Sequence, residues 1–423
     1  MREPAAFRDV PFMGVIWVVD EAMKLGFRNL DPDWCNLGQG MPEIGPLRGA
    51  PPRLSAIDVA AEDLAYGPVG GIDDLRERVA DHYNRLFRQG KASRYRKENV
   101  GIAAGGRLML TRFAAALGPH RLGHVVPDYT AYEDMLDYHR HRVTPVAIET
   151  TPETNFHIPA DRFDAIVREQ RLNSFLISNP CNPTGNVVEG DDLAGYVQVA
   201  RERDCWLCLD EFYSHFIVDR NGGPGAGPVS GAAFVEDVDR DPVVIIDGMT
   251  KNYRYPGLRI GWILGPAAVI EQVTRTASAI DGGPPVPVQR AAYALLEPAR
   301  ADQETQAVRR AFADKRRVMV EALTAMGIDV RHSGRGTFYL WADLQDLPPP
   351  LSNADAFFRQ ALARKVMTVP GRFFDVNPGR LRSTPMIGET WARFSFGPPI
   401  DNMRAGLDRL RAICEQKQMA DIA

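Results

Sequence analysis

The chain has 423 residues, of which 45% are apolar and 25% charged, the composition of an ordinary soluble globular protein long enough for two domains. Fifty basic against 54 acidic residues leave a formal charge of −4, which gives no electrostatic reason to expect nucleic acid or an anionic membrane as a partner. No apolar run approaches the roughly twenty residues that a membrane span needs.

The N-terminal stretch MREPAAFRDVPFMGVIWVVDEAMK has charges on both sides of a short apolar segment and no small-residue cleavage site, so it does not read as a signal peptide. Residues 1–48 are expected to form an arm with one helix, contributing to a smaller domain. From about residue 100, short apolar runs alternate with helical stretches. NVGIAA leads into RLMLTRFAAALG, GHVVP into TAYEDMLDYH, and SFLIS by way of a turn into DDLAGYVQVARER; CWLCLD and PVVIID follow. The runs are apolar on consecutive residues, as strands covered on both faces require. The expected fold is therefore α/β, with a large domain (49–300) whose mainly parallel sheet is flanked by helices. Beyond Pro298 the pattern changes to a long amphipathic helix ending at a glycine, strand-like GTFYLWADL, a helix NADAFFRQALARK, strand-like VMTVPG and WARFSFG, and a last helix from about Asp401. This predicts a smaller α+β domain over 301–423.

Five cysteines are scattered along the chain, and the C-x-x-C of CWLC lies inside an apolar strand pattern with no second pair. Buried thiols are expected, with no metal site, and a cytoplasmic location.

In open α/β sheets ligands lie beyond the carboxyl ends of the strands. There the sequence places Gly105-Gly106-Arg107, Asp128-Tyr129, the NPCNPTG turn, Asp210 with Tyr213, and Lys251. Gly105 and Gly106 open a helix, whose free N–H groups favour phosphate, and Arg259 follows Lys251 across a YPG turn that can return its guanidinium to the same anion. Tyr129 offers a flat face for a ring. Asp210, a carboxylate at a buried strand end, wants a cation, and Lys251 offers an amine that can form an imine with an aldehyde. A phosphate, an aromatic ring, a ring cation and an aldehyde together describe pyridoxal 5′-phosphate (PLP).

Four segments, SNPCNPTG (178–185), LDEFY (209–213), TKNYRYPGLRIGW (250–262) and ARFSFG (392–397), resemble the fold type I aminotransferases of class I/II, from about residue 36 onward. The resemblance implies that Lys251 is the Schiff-base lysine, that Asp210 pairs with the pyridinium nitrogen, and that Asn182 and Tyr213 bond the phenolic O3′ of the cofactor. It implies that Tyr129 stacks on the ring, that Arg259 and the Gly106–Arg107 amides hold the phosphate, and that Tyr66 reaches the phosphate of a neighbouring subunit in a homodimer. Arg393 would clamp the substrate α-carboxylate, and the Gly40 backbone would line the substrate side. Two positions depart from the family pattern: Gly248 stands where a hydroxyl residue is common three before the lysine, and Arg107 where a small hydroxyl residue is frequent. Arg254 and Tyr255 lie close to the cofactor loop, and the resemblance assigns them no role here. Glu43 and Asp128 are carboxylates that would favour a basic side chain, although exposed carboxylates are common.

The expected function is PLP-dependent transfer of an amino group from an L-amino acid to a 2-oxo acid, by a ping-pong mechanism through Lys251. The alternatives are a PLP-dependent lyase, cyclase or oxidase, and a non-catalytic PLP-binding regulator, for which the chain lacks an added basic domain.

Overall fold

A computed structural model describes residues 10, 12–29 and 31–422; the first nine residues, which belong to the stretch judged for a signal peptide, lie outside them. Seven strands make the main sheet: β1 (Val100–Ala103), β2 (His120–Val126), β3 (Val143–Glu149), β4 (Ser174–Ser178), β5 (Trp206–Asp210), β6 (Val243–Gly248) and β7 (Gly261–Leu264). Their spatial order is β1-β7-β6-β5-β4-β2-β3, and β7 alone runs antiparallel to its neighbours.

The consecutive apolar residues of these strands divide by parity between two buried faces. Leu176, Cys208, Val244 and Ile246 pack with Met109, Leu110 and Phe113 of the helix Gly106–Ala116. Phe175, Ile177, Leu207, Leu209 and Ile245 pack with Leu193, Tyr196 and Val197 of the helix Gly190–Arg203. Side chains alternate across a strand, so a strand covered on both sides must be apolar at every position. The edge strand β3 is mostly half-exposed.

The helix Pro298–Ala325 begins with proline at its first position, where the missing N–H costs nothing, and Glu297 accepts from the amides of Ala299 and Arg300 at 3.2 and 2.9 Å. It ends just before Gly327, which has φ +81°. Beyond it lies an antiparallel sheet of order β9-β10-β8, formed by β8 (Tyr339–Asp343), β9 (Val369–Pro370) and β10 (Trp391–Ser395). VMTVPG, read as one strand, is split between two sheets: Val366–Met367 pairs in parallel with Cys35–Asn36, and only Val369–Pro370 joins β10. Thr368 carries the chain from one partner to the other.

Among the described residues the N-terminal segment contributes the helix Gly14–Lys24. Its Val18 and Ala22 are buried against Phe358, Leu362 and Phe373. Among the described residues no helix is long and apolar enough to cross a membrane, and the five cysteines are buried free thiols.

Candidate active site

Because β1, β2, β4, β5 and β6 run parallel, their carboxyl ends open on one edge of the sheet, where a cavity of about 530 Å³ lies. Gly106, Arg107, Tyr129, Asn182, Asp210, Tyr213, Lys251 and Arg259 line it from that edge. Gly40 and Arg393 enter from the N-terminal segment and β10. Register assembles the floor: Ser178 lies opposite Asp210, and Asp210 opposite Ile246, so successive strands end level with one another.

Lys251 follows β6 within three residues, and its Nζ donates to the Gly40 carbonyl. Burial pulls the amine down to about 7, and the positive charges of Arg393, Arg107 and Arg259 add to the shift while Asp210 opposes it. Asp210, at the end of β5, is buried; burial pushes its carboxyl up to about 6, opposed by the Tyr132 hydroxyl, which donates to Oδ2 at 2.9 Å. Among the described residues no basic side chain bonds to this carboxylate.

The two glycines expected to cradle an anion are held by contact. Gly105 has φ +98°, a conformation that side chains rarely adopt, and a Cβ there would meet Arg259 Nη2 at 2.2 Å. A Cβ on Gly106 would strike the Phe212 ring at 2.4 Å. The helix Gly106–Ala116 therefore begins with bare backbone beside the Arg259 guanidinium. Gly248 has a related cause. A Cβ there would lie 2.4 Å from the Ile260 carbonyl oxygen and 2.7 Å from Gly261 Cα, so the antiparallel β7 leaves no room for the family's hydroxyl side chain. Arg107 is exposed at its side chain and donates from Nε to the Tyr129 hydroxyl at 3.0 Å.

Arg393 is 1% exposed, donates from Nη1 to Asn182 Oδ1 and from Nη2 to the Gly38 carbonyl, both at 2.8 Å, and has no partner at Nε. Its guanidinium lies 3.9 Å from the centre of the Tyr339 ring. The Tyr339 and Tyr213 hydroxyls are bonded to each other at 2.9 Å.

Tyr66 is apart from this cavity and fully exposed. Glu43 and Asp128 also stay outside it: Glu43 bonds Lys315, and Asp128 is buried against Ser178. Neither is available to a basic substrate side chain within this chain. Arg254, left without a role by its sequence, is buried and ties the lysine loop to two distant segments. Tyr132 and Tyr339 were missed. A buried tyrosine implies a partner for its hydroxyl, yet nothing local in TAYED or GTFYLW names Asp210 or Tyr213 as that partner.

The residues present fit PLP: a half-buried lysine with its amine near neutrality, a buried carboxylate lining the cavity, and a helix start that only glycines permit.

The family model described as aminotransferase class I and II matches residues 32–410. The chain is 25% identical over 391 residues to an aspartate aminotransferase of Sulfurisphaera tokodaii, covering 89% of this chain and 88% of that protein. It is 27% identical over 382 residues to a valine–pyruvate aminotransferase of Mycobacterium tuberculosis, covering 89% and 90%. A solved structure of the aspartate aminotransferase of Thermus thermophilus with maleate shares the fold at a TM-score of 0.76 and 22% identity, covering 98% of this chain and 99% of that one.

Proposed function

The chain belongs to the class I and II aminotransferase family and is a PLP-dependent aminotransferase, and we propose that the side chains gathered around Lys251 divide its work as follows. Bound here, PLP supplies an aldehyde that takes up the amino group and a ring that accepts electron density from the substrate Cα. Lys251 holds the cofactor at rest and carries the proton to and from Cα, a task for which an amine near pH 7 is suited, being able both to take and to give. Asp210 keeps a proton on the ring nitrogen. Asn182 and Tyr213 donate to the phenolic oxygen. Tyr129 covers one face of the ring, and Arg259 with the Gly106–Arg107 amides holds the phosphate. Arg393 receives the α-carboxylate through two parallel bonds, with its unpaired Nε available as one donor, beside the backbone of Gly40.

The observation that carries this reading is one cavity holding a half-buried lysine with an amine near neutrality, a buried carboxylate with no basic partner among the described residues and a buried arginine with an unpaired donor. An enzyme of this kind keeps the nitrogen until an oxo acid collects it. Given an amino acid and no oxo acid, it should stop at about one equivalent of oxo acid per site. Many turnovers under those conditions would favour a lyase, cyclase or oxidase instead.

We further propose a homodimer with shared sites, divided in each protomer into the arm 1–48, the PLP-binding domain 49–300 and the small domain 301–423. Tyr66 supports it, fully exposed in a segment that also exposes Val59 and Leu64. The segment 281–289 is the second approach to the neighbouring site. Sedimentation that found a fully active monomer would overturn this. A cytoplasmic location accords with five free thiols, and recovery of the protein with the membrane fraction would count against it.

A further inference from the structure

The helix Gly14–Lys24 is apolar on more than the face it buries. Val18 and Ala22 pack into the protein, whereas Val15, Ile16, Val19 and Met23 line the cavity that holds Lys251 and Arg393. These four sit at i, i+1, i+4 and i+8, one stripe along the helix. The charged residues lie off it: Lys24 is paired with Asp20 and Glu21. Ile16 and Met23 remain 44% and 60% exposed, so the stripe is not satisfied by the fold.

The helix is seated where a substrate side chain would pass. Gly14, at its first turn, packs on Thr130, the residue after Tyr129; a Cβ on Gly14 would come 3.0 Å from Thr130 Oγ1. Val15 lies next to Gly40, whose carbonyl accepts from Lys251. Asn29, Asn36, Gln39 and Arg107 line other parts of the cavity, and several polar groups near the helix are already engaged. Asn36 accepts from the Gly38 amide, Gln39 donates to the Met41 carbonyl, and Glu43 is bonded to Lys315.

We propose that the helix Gly14–Lys24 is the side-chain wall of the substrate site and selects L-amino acids with unbranched or branched apolar side chains over charged ones. The proposal rests on the aminotransferase reading, because it places the substrate α-carboxylate at Arg393 and its Cα at Lys251. From that anchor the side chain runs along the wall that starts at Val15, beside Gly40, and continues through Val19 to Met23 along the helix. A charged side chain laid against this stripe would lose its water on aliphatic carbon, and the four stripe residues offer it no partner.

The test uses the holoenzyme and the homologous series alanine, 2-aminobutyrate, 2-aminopentanoate and 2-aminohexanoate, with aspartate, glutamate, lysine and arginine for comparison. Two quantities are read: the dissociation constant, from the change in the bound cofactor's absorbance, and the yield of oxo acid. Affinity should rise about fourfold for each added methylene, the worth of burying one such group, and the charged amino acids should bind more weakly than 2-aminohexanoate. Val19→Asp and Met23→Asp should each flatten the series, and Val19→Asp should bring lysine and arginine above 2-aminohexanoate. A flat series, tighter binding of a charged amino acid by the parent enzyme, or a series unchanged in both variants would overturn the proposal. A rising affinity without any oxo acid would overturn the aminotransferase reading and leave the apolar wall standing.

Discussion

Arg254 Nε donates to Glu304 Oε1 at 2.7 Å, and both side chains are buried, at 0% and 4% exposure. Glu304 belongs to the helix Pro298–Ala325, so this ion pair joins the lysine loop to an element fifty residues away. From the same guanidinium, Nη1 donates to the carbonyls of Glu43 and Gly45 at 3.0 and 2.7 Å. Arg53 closes the group by donating to Glu304 Oε1 at 3.1 Å and stacking 3.6 Å over the Tyr255 ring. Arg254 thus ties Glu43 and Gly45, a few residues past the Gly40 carbonyl that accepts from Lys251, to the lysine loop, while Tyr255 packs under Arg53. Arg254 adopts φ +58°, and its bonds offset the strain of a left-handed residue with a side chain.

Arg254→Met should therefore destabilise the protein by about 3–5 kcal/mol, because it leaves a buried carboxylate and two half-buried carbonyls short of a donor. Chemical denaturation of parent and variant measures this. A loss under about 1 kcal/mol would show that Arg53 alone satisfies Glu304.

Lys251 should govern how fast PLP attaches to the apoenzyme. Only the neutral amine attacks an aldehyde, and burial together with three nearby arginines holds this one at about 7. The attachment rate should rise between pH 6 and pH 8 and level off above, and Lys251→Ala should leave no borohydride-reducible adduct. A rate still climbing steeply above pH 9 would mean that the amine keeps its ordinary value.

Arg393→Ala should weaken substrate binding by about 2–5 kcal/mol, the usual cost of removing one partner of a buried charge pair. Asn182 would also lose its donor, so some of that loss should appear as weaker cofactor binding. Titration with an amino acid and with its des-carboxy amine separates the two effects. The amine, having nothing for Arg393 to hold, should bind parent and variant alike.

Gly248→Ser restores the hydroxyl common in the family, yet it should harm this protein. The added Cβ collides with the backbone of Ile260 and Gly261, so the expected outcome is a loss of about 1–3 kcal/mol in stability, with no gain in cofactor affinity. Tighter PLP binding by the variant would show that β7 can move aside.

Glu211 should make stability fall as pH rises. Burial pushes its carboxyl up to about 8 from an ordinary 4.5, with the bonds from Ser230 and the Gly231 amide opposing. Between those values the folded state holds more protons than the unfolded chain, so the contribution is fully present below pH 4.5 and is lost on the way to pH 8. Glu211→Gln carries no such proton. Its unfolding midpoint should change less between pH 5 and pH 8 than the parent's, and an equal change in both would assign the slope to Asp128 and Asp247.

Much of the site was legible from the sequence because its chemistry sits at strand ends. Consecutive apolar runs mark covered parallel strands, parallel strands end on one edge, and Gly106, Asp210 and Lys251 follow those runs directly. That inference needs only side-chain parity and the direction of the strands. The partners were not legible. Arg254 finds Glu304 and Glu43, Tyr213 finds Tyr339, and Arg393 finds Asn182 across 211 residues, through packing between elements that no local pattern relates. The same holds for Glu43, an open carboxylate by sequence that Lys315 occupies in the fold. Gly248 looked like a lost hydroxyl until the register of β6 with β7 showed its Cβ position filled by backbone. The amphipathic pattern of residues 14–24 signals a helix, but which apolar stripe is buried and which faces Lys251 depends on where Gly14 docks against Thr130. Short-range chemistry wrote the elements and their reactive ends; the pairing of side chains far apart in the chain, set by close packing, decided which of them remain free to act.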